Sequence, residues 1–156
     1  MAVIKKEILD GGTENIAGIV GIGKAIEIAT ENINEYNNKL LSLRNYYIEE
    51  VKKRIPNIVI NGDLENRLPG NSNICFIGVD GSKMLKELDN VGICASSGSA
   101  CSAGLLTASH VLLAIGVSEK VARSSLRVTF GKENTKEDVD YLLNNLENII
   151  YNLRNK

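Results

Sequence analysis

The chain has 156 residues, of which 44% are hydrophobic and 24% charged, and its formal net charge is −1. That length suits one domain able to bury roughly 70% of its unfolded surface, and a near-neutral charge offers no basic excess to a phosphate backbone, which argues against nucleic acid as a partner. The start, "MAVIKKEILDGG", lacks a leader-like apolar run and no later stretch approaches about 20 apolar residues, so a cytoplasmic protein without a membrane contact is expected.

From Thr13 onward, Ile16, Ile19, Val20, Ile22, Ile26 and Ile28 recur at mostly helical intervals, with Gly18, Gly21, Gly23 and Ala25 small enough for close packing. A second stripe, Leu40, Leu43, Tyr47 and Val51, runs until Pro56 stops it, and nothing between the two runs clearly breaks the pattern. "NIVI" at Asn57 to Ile60, before the turn signal "NGD", and the β-rich segment around Ile74 to Val79 read as two strands. Ser82 is a candidate cap for a helix carrying Met84, Leu85 and Leu88, and "VGICAS" reads as a further strand.

Beyond "SSGSACSAG", Ser109 and Ser118 each precede a short helix, and "LRVTFG" supplies the last strand. Thr135 is a candidate cap, with Glu137 and Asp138 in the first turn of a closing helix whose apolar residues run from Val139 through Leu153. The reading is an α+β fold in one domain: residues 1–12 irregular, 13–55 a long helical segment, and 56–156 an α+β body holding the Cys101 loop.

Three cysteines in no dense spacing argue for reduced thiols rather than a disulfide framework. Cys75 and Cys94 fall in expected strands and read as small buried hydrophobes. Cys101 is different, because Ser, Gly and Ala around it place no bulk between the sulfur and an incoming group; either a reactive thiol or an inert turn fits that composition. Arg127 puts a guanidinium in an otherwise apolar strand, which fits bidentate capture of a substrate carboxylate or an edge-strand side chain facing water. His110, the only histidine, sits where a helix begins and reads as a capping or surface imidazole. Cys75, Cys94, Cys101 and His110 have the ligand types for zinc but none of its usual spacing, so no metal is expected. "GIVGIGKA" lacks a phosphate-loop pattern and reads as helix packing.

Five stretches, "GGTENIAGIVGIGKAIEIA", "NGDLENRLPGNSNICF", "SSGSACSAG", "SHVLLAIG" and "SSLRVTFGKENTKEDVDYLL", resemble in order and approximate spacing the carboxy-terminal part of NifS/IscS-type cysteine desulfurases. These are pyridoxal-phosphate enzymes of the class V aminotransferase superfamily. The resemblance begins at about Gly11 and implies a small, mostly antiparallel sheet of about three to four strands covered by helices. It implies that Cys101 is the nucleophile that takes sulfur from cofactor-bound cysteine, giving alanine and a persulfide for iron–sulfur cluster or other sulfur-compound synthesis. It also implies that Arg127 holds the substrate carboxylate and that Thr13 reaches the cofactor phosphate of the other subunit, although the residues before Thr13 depart from the family's glycine-rich, basic run.

In that family a large domain carries the lysine that holds pyridoxal phosphate, an aspartate facing the pyridine nitrogen and a histidine over the ring. Those residues have no counterpart here, and Lys83 matches a small-domain segment rather than the cofactor lysine. The chain alone is therefore expected to bind no pyridoxal phosphate and to be inactive without a large-domain partner. A sulfur-acceptor protein such as an iron–sulfur scaffold and self-association are the other expected contacts. The alternative is a persulfide carrier or dimerisation module without catalysis.

Overall fold

A computed structural model describes residues 14–97 and 108–155. Its contacts divide the chain between Glu35 and Tyr36 into two compact units.

Helix α1, Ile16–Glu31, lies in the first unit. The side chain of Asn15 caps it by accepting a hydrogen bond from the Gly18 amide at 3.0 Å. None of its residues is buried, so Ile16, Ile19, Val20, Ile22, Ile26 and Ile28 are all exposed. The two helical runs are separate helices, because the chain turns at Asn32 before α2, Ile33–Arg54, begins.

The second unit contains the buried stripe of α2. Leu40, Leu43, Arg44, Tyr47, Ile48 and Val51 follow one another at three- and four-residue steps, which places them on one face. Strand β1, Ile58–Ile60, pairs antiparallel with β2, Asn71–Phe76, and β2 pairs antiparallel with β3, Ser125–Thr129. The three strands form one sheet in the order β1-β2-β3.

Alternation along these strands sorts the two faces of the sheet. Ile74 and Phe76 of β2 and Leu126 and Val128 of β3 join the main core with α2, with helix α3 at Gly81–Asn90 and with helix α6 at Lys136–Arg154. Cys75 points the other way and packs with Leu112 of α4, His110–Ala114, and Ala122 of α5, Glu119–Ala122. Helices therefore cover both faces, three long ones on one side and two short ones on the other, which makes the fold α+β as expected.

Three local readings change. Asp80, not Ser82, caps α3: its carboxylate accepts from the amides of Ser82 at 2.9 Å and Lys83 at 3.2 Å, because the helix starts two residues earlier than a cap at the serine requires. Strand β2 ends at Phe76, since the chain turns through Gly78 at φ 84°. Residues 91–97 form no continuous strand; Gly92 has φ 74°, and only Ser96 makes a bridge, to Arg127. The capping box at Thr135 and Asp138 is present as read.

Candidate functional site

Arg127 occupies the middle of β3, opposite Asn73 of β2. Its neighbours Leu126 and Val128 enter the main core, so the alternation turns Arg127 onto the other face, where Cys75 also lies. The strand that looked uniformly apolar is two-sided, and Arg127 is half-buried on its polar side. No side-chain hydrogen bond or ion pair ties the guanidinium to any described residue, which leaves its donor fork available for a carboxylate.

On its outer edge Arg127 meets Ser96. The Ser96 amide donates to the Arg127 carbonyl at 3.1 Å and the Arg127 amide donates to the Ser96 carbonyl at 2.6 Å. This bridge pins the root of "SSGSACSAG" to the strand that carries the arginine. Gly81 reinforces the junction: its amide donates to the Arg123 carbonyl at 3.0 Å, and a Cβ built on it would stand 2.6 Å from that oxygen and 3.4 Å from the Ser97 Cβ. Only glycine lets α3 start so close to the head of β3 and to the loop root.

Beside Arg127, the same face is lined with amides. Asn61 donates through Nδ2 to Asn73 Oδ1 at 2.6 Å and to Cys75 Sγ at 3.0 Å, and Asn71 donates to Thr129 Oγ1 at 3.3 Å. Burial pushes the Cys75 thiol up from its ordinary value, opposed in part by hydrogen bonds with Asn61 and Ser124. A thiol so placed stays protonated and enclosed, as a structural cysteine does. Cys94 departs from the buried reading. It is a free, exposed thiol, because in the irregular segment Ile93 and Ala95 pack against the core while Cys94 faces outward between them.

Cys101 and Thr13 lie outside the described residues. His110 is the exposed first residue of α4, a surface imidazole. Sequence reasoning found Arg127 but missed Ser96 and Gly81, although the alternation of "NSNICF" and the glycine before Ser82 were the signals that could have pointed to this face and this close approach.

Pyridoxal phosphate needs a sheltered lysine, a phosphate cradle and a surface for its ring. All nine described lysines from Lys24 to Lys136 are exposed. A cleft of ≈ 490 Å³ lined by Gly78, Asp80, Lys83, Lys86, Glu87 and Leu153 offers two carboxylates and no aromatic ring, and it contains neither Arg127 nor Ser96. The described residues do not make a complete pyridoxal-phosphate site. They place a half-buried guanidinium, Arg127, beside Ser96, to whose backbone its own is bonded.

The cysteine desulfurase IscS of Clostridium botulinum is 51% identical over 140 residues, covering 88% of this chain and 35% of the relative. The cysteine desulfurase IscS of Dictyoglomus turgidum is 49% identical, covering 92% and 36%. Among solved structures, a NifS-like protein superimposes with a TM-score of 0.77 at 31% identity over 92% of this chain and 36% of that one, and a NifS-like protein from Rickettsia africae with 0.75 at 34% over 91% and 36%. The chain thus spans about a third of the length of the relatives it matches. The model of the aminotransferase class-V family matches residues 5–142, and the chain belongs to that family.

Proposed function

We propose that this chain is the carboxy-terminal, small-domain portion of a cysteine desulfurase and contributes the sulfur-accepting nucleophile Cys101. In this reading Arg127 holds the substrate carboxylate, and Thr13 reaches the cofactor phosphate of a neighbouring subunit. The Cys101 thiolate attacks the substrate sulfur; an S–S bond forms as the substrate Cβ–S bond breaks, and Cβ gains a proton. L-Cysteine and a thiol become L-alanine and a persulfide, with no external oxidant or reductant.

The observation that supports the reading is the Ser96–Arg127 bridge, which ties a residue five positions before Cys101 to the strand that carries Arg127. Cys101 lies five positions beyond Ser96, and five Cα-to-Cα steps span at most about 18 Å, so in this reading the thiol stays in the neighbourhood of Arg127. A short tether of small residues suits a sulfur that must be loaded at one place and unloaded at another. The cofactor and its lysine then come from polypeptide outside this sequence, in keeping with the third of the relatives' length that the chain spans.

The test uses L-cysteine with pyridoxal phosphate, first on the chain alone and then with the remaining two-thirds of the Clostridium botulinum relative. Alone, no alanine is expected; together, alanine should appear with one extra sulfur on Cys101 and none on Cys75 or Cys94. Alanine accompanied by sulfur on Cys94 would overturn the role of Cys101. Sulfur taken up by Cys101 from a small persulfide donor, with no alanine in either mixture, would favour a carrier.

A further inference from the structure

Asn61, Asn73, Arg127 and Ser96 stand in one row across the sheet. The backbone amide of Asn61, just past the end of β1, donates to the Asn73 carbonyl at 2.9 Å, Asn73 lies opposite Arg127, and Arg127 bridges to Ser96. Arg127 commits both its backbone N–H and its carbonyl to Ser96, and the Asn73 carbonyl is committed to Asn61. The peptide groups of Asn73 and Arg127 therefore turn away from each other. That makes them a non-hydrogen-bonded antiparallel pair, the kind whose side chains stand closest, with Cβ atoms at the short end of about 4.5–5.5 Å. Paired residues share a face, so the Asn73 amide rises beside the Arg127 side chain on the face away from the main core, and both are half-buried.

One end of the Asn73 amide is already held. Asn61, only 4% exposed, donates through Nδ2 to Asn73 Oδ1 at 2.6 Å and to Cys75 Sγ at 3.0 Å, which uses both of its side-chain N–H bonds. With Oδ1 held from the β1 side, Nδ2 is the end that remains for the side of Arg127, and it donates to no described residue. Asn71, the next residue along this face, gives an N–H to Thr129 Oγ1.

On the reading that Arg127 holds the substrate carboxylate, we propose that Asn73 is a second binding residue for that carboxylate: Nδ2 donates to an oxygen that Arg127 holds. Asn61 is the positioning residue that keeps the donor end of the amide free. A carboxylate offers about four lone-pair sites and a bidentate guanidinium takes two of them, so one further N–H is accommodated without displacing either arginine bond. A neutral amide suits the place, since a lysine would repel Arg127 and an aspartate would pair with it.

Calorimetric titration of the reconstituted desulfurase, this chain with the remaining two-thirds of the Clostridium botulinum relative and pyridoxal phosphate, tests this. It compares L-alanine, which carries the carboxylate, with ethylamine, the same amine without it. Asn73→Ala should raise the dissociation constant of L-alanine about tenfold and leave that of ethylamine within about twofold. Asn73→Asp keeps the size of the side chain and the acceptor for Asn61, and its anion in place of the donor should raise the L-alanine constant further than Asn73→Ala does. Arg127→Lys reports on the underlying reading and should weaken L-alanine alone. If it does so while Asn73→Ala leaves the L-alanine constant unchanged, or raises both constants by one factor, the role of Asn73 is overturned and that of Arg127 stands. Should Asn73→Ala fail to fold, an unchanged L-alanine constant in Asn73→Asp overturns the role equally. Arg127→Lys without effect on L-alanine, or an unaltered mixture that does not bind it, overturns both.

Discussion

Ser96 and Arg127 exchange both of their backbone hydrogen bonds, at 3.1 and 2.6 Å, so the segment that ends at Ser97 is joined to the strand that carries the guanidinium. The bond is made by peptide groups, and the Arg127 side chain is free of the described scaffold. Backbone pairing and side-chain chemistry are therefore separable at Arg127.

That separation predicts the behaviour of Arg127→Lys. The backbone pairing with Ser96 and Asn73 survives the change, so urea unfolding should shift by no more than about 0.5 kcal/mol, as for other substitutions outside the packed core. On the proposed role the planar fork is lost, and with it a charge-assisted bidentate contact to the substrate carboxylate worth about 1.5–3 kcal/mol. In the reconstituted desulfurase this should raise KM for cysteine about ten- to hundredfold. An unchanged KM would remove Arg127 from carboxylate recognition.

The glycines separate by what surrounds them. A Cβ at Gly81 would stand 2.6 Å from the Arg123 carbonyl and 3.3 Å from that of Ser125, both backbone atoms that cannot swing away. Gly81→Ala should cost about 1–3 kcal/mol in urea unfolding, through displacement of α3 from β3. Gly21, inside α1, has nothing within 4 Å of such a Cβ. Gly21→Ala should instead raise the helix content seen by circular dichroism, by the about 0.5–1 kcal/mol that separates alanine from glycine in a helix.

The legible parts of the fold were those that a period of two or 3.6 writes directly. The α2 stripe, the β1 strand and the Thr135 box follow from side-chain spacing and capping chemistry alone. Residues 91–97 did not, because "VGICAS" has strand-forming residues, but Gly92 adopts φ 74° and only Ser96 reaches a neighbouring strand. Arg44 was hidden for a related reason. Its place on the buried stripe was set by spacing, yet besides the adjacent Asn45 it bonds the Leu64 carbonyl, a partner far away in sequence that no local pattern announces. Arg127 was visible as an oddity, and its two-sided strand became clear only from the register with Asn73.

Thiol chemistry should rank the cysteines by environment. Cys75 is fully buried and its thiol is pushed up by that burial, whereas Cys94 is exposed. With iodoacetamide near neutral pH, Cys94 should be modified while the protein is folded, and Cys75 only at the rate of unfolding. Peptide mapping over time checks this, and equal rates for the two would contradict the closed packing of Cys75 against Leu112 and Ala122.

Acid should weaken the start of α3, which sits beside the site. The Asp80 carboxyl is held below its ordinary value of 3.8, first by the Ser82 hydroxyl and then, against a smaller desolvation cost, by the Lys83 and Ser82 amides. A carboxyl whose folded pKa is depressed binds its proton more readily in the unfolded chain. Its contribution is therefore complete above about pH 4 and disappears as the pH falls through the lower, folded value. Asp80→Ala should cost about 1 kcal/mol at pH 7, the usual worth of an N-cap, and Asp80→Asn should cost less because its amide oxygen still accepts from the Ser82 and Lys83 amides. Between pH 5 and pH 2 the unaltered chain should lose more stability than Asp80→Asn does. Parallel pH curves for the two would show that the Asp80 charge adds nothing to the cap beyond its hydrogen bonds.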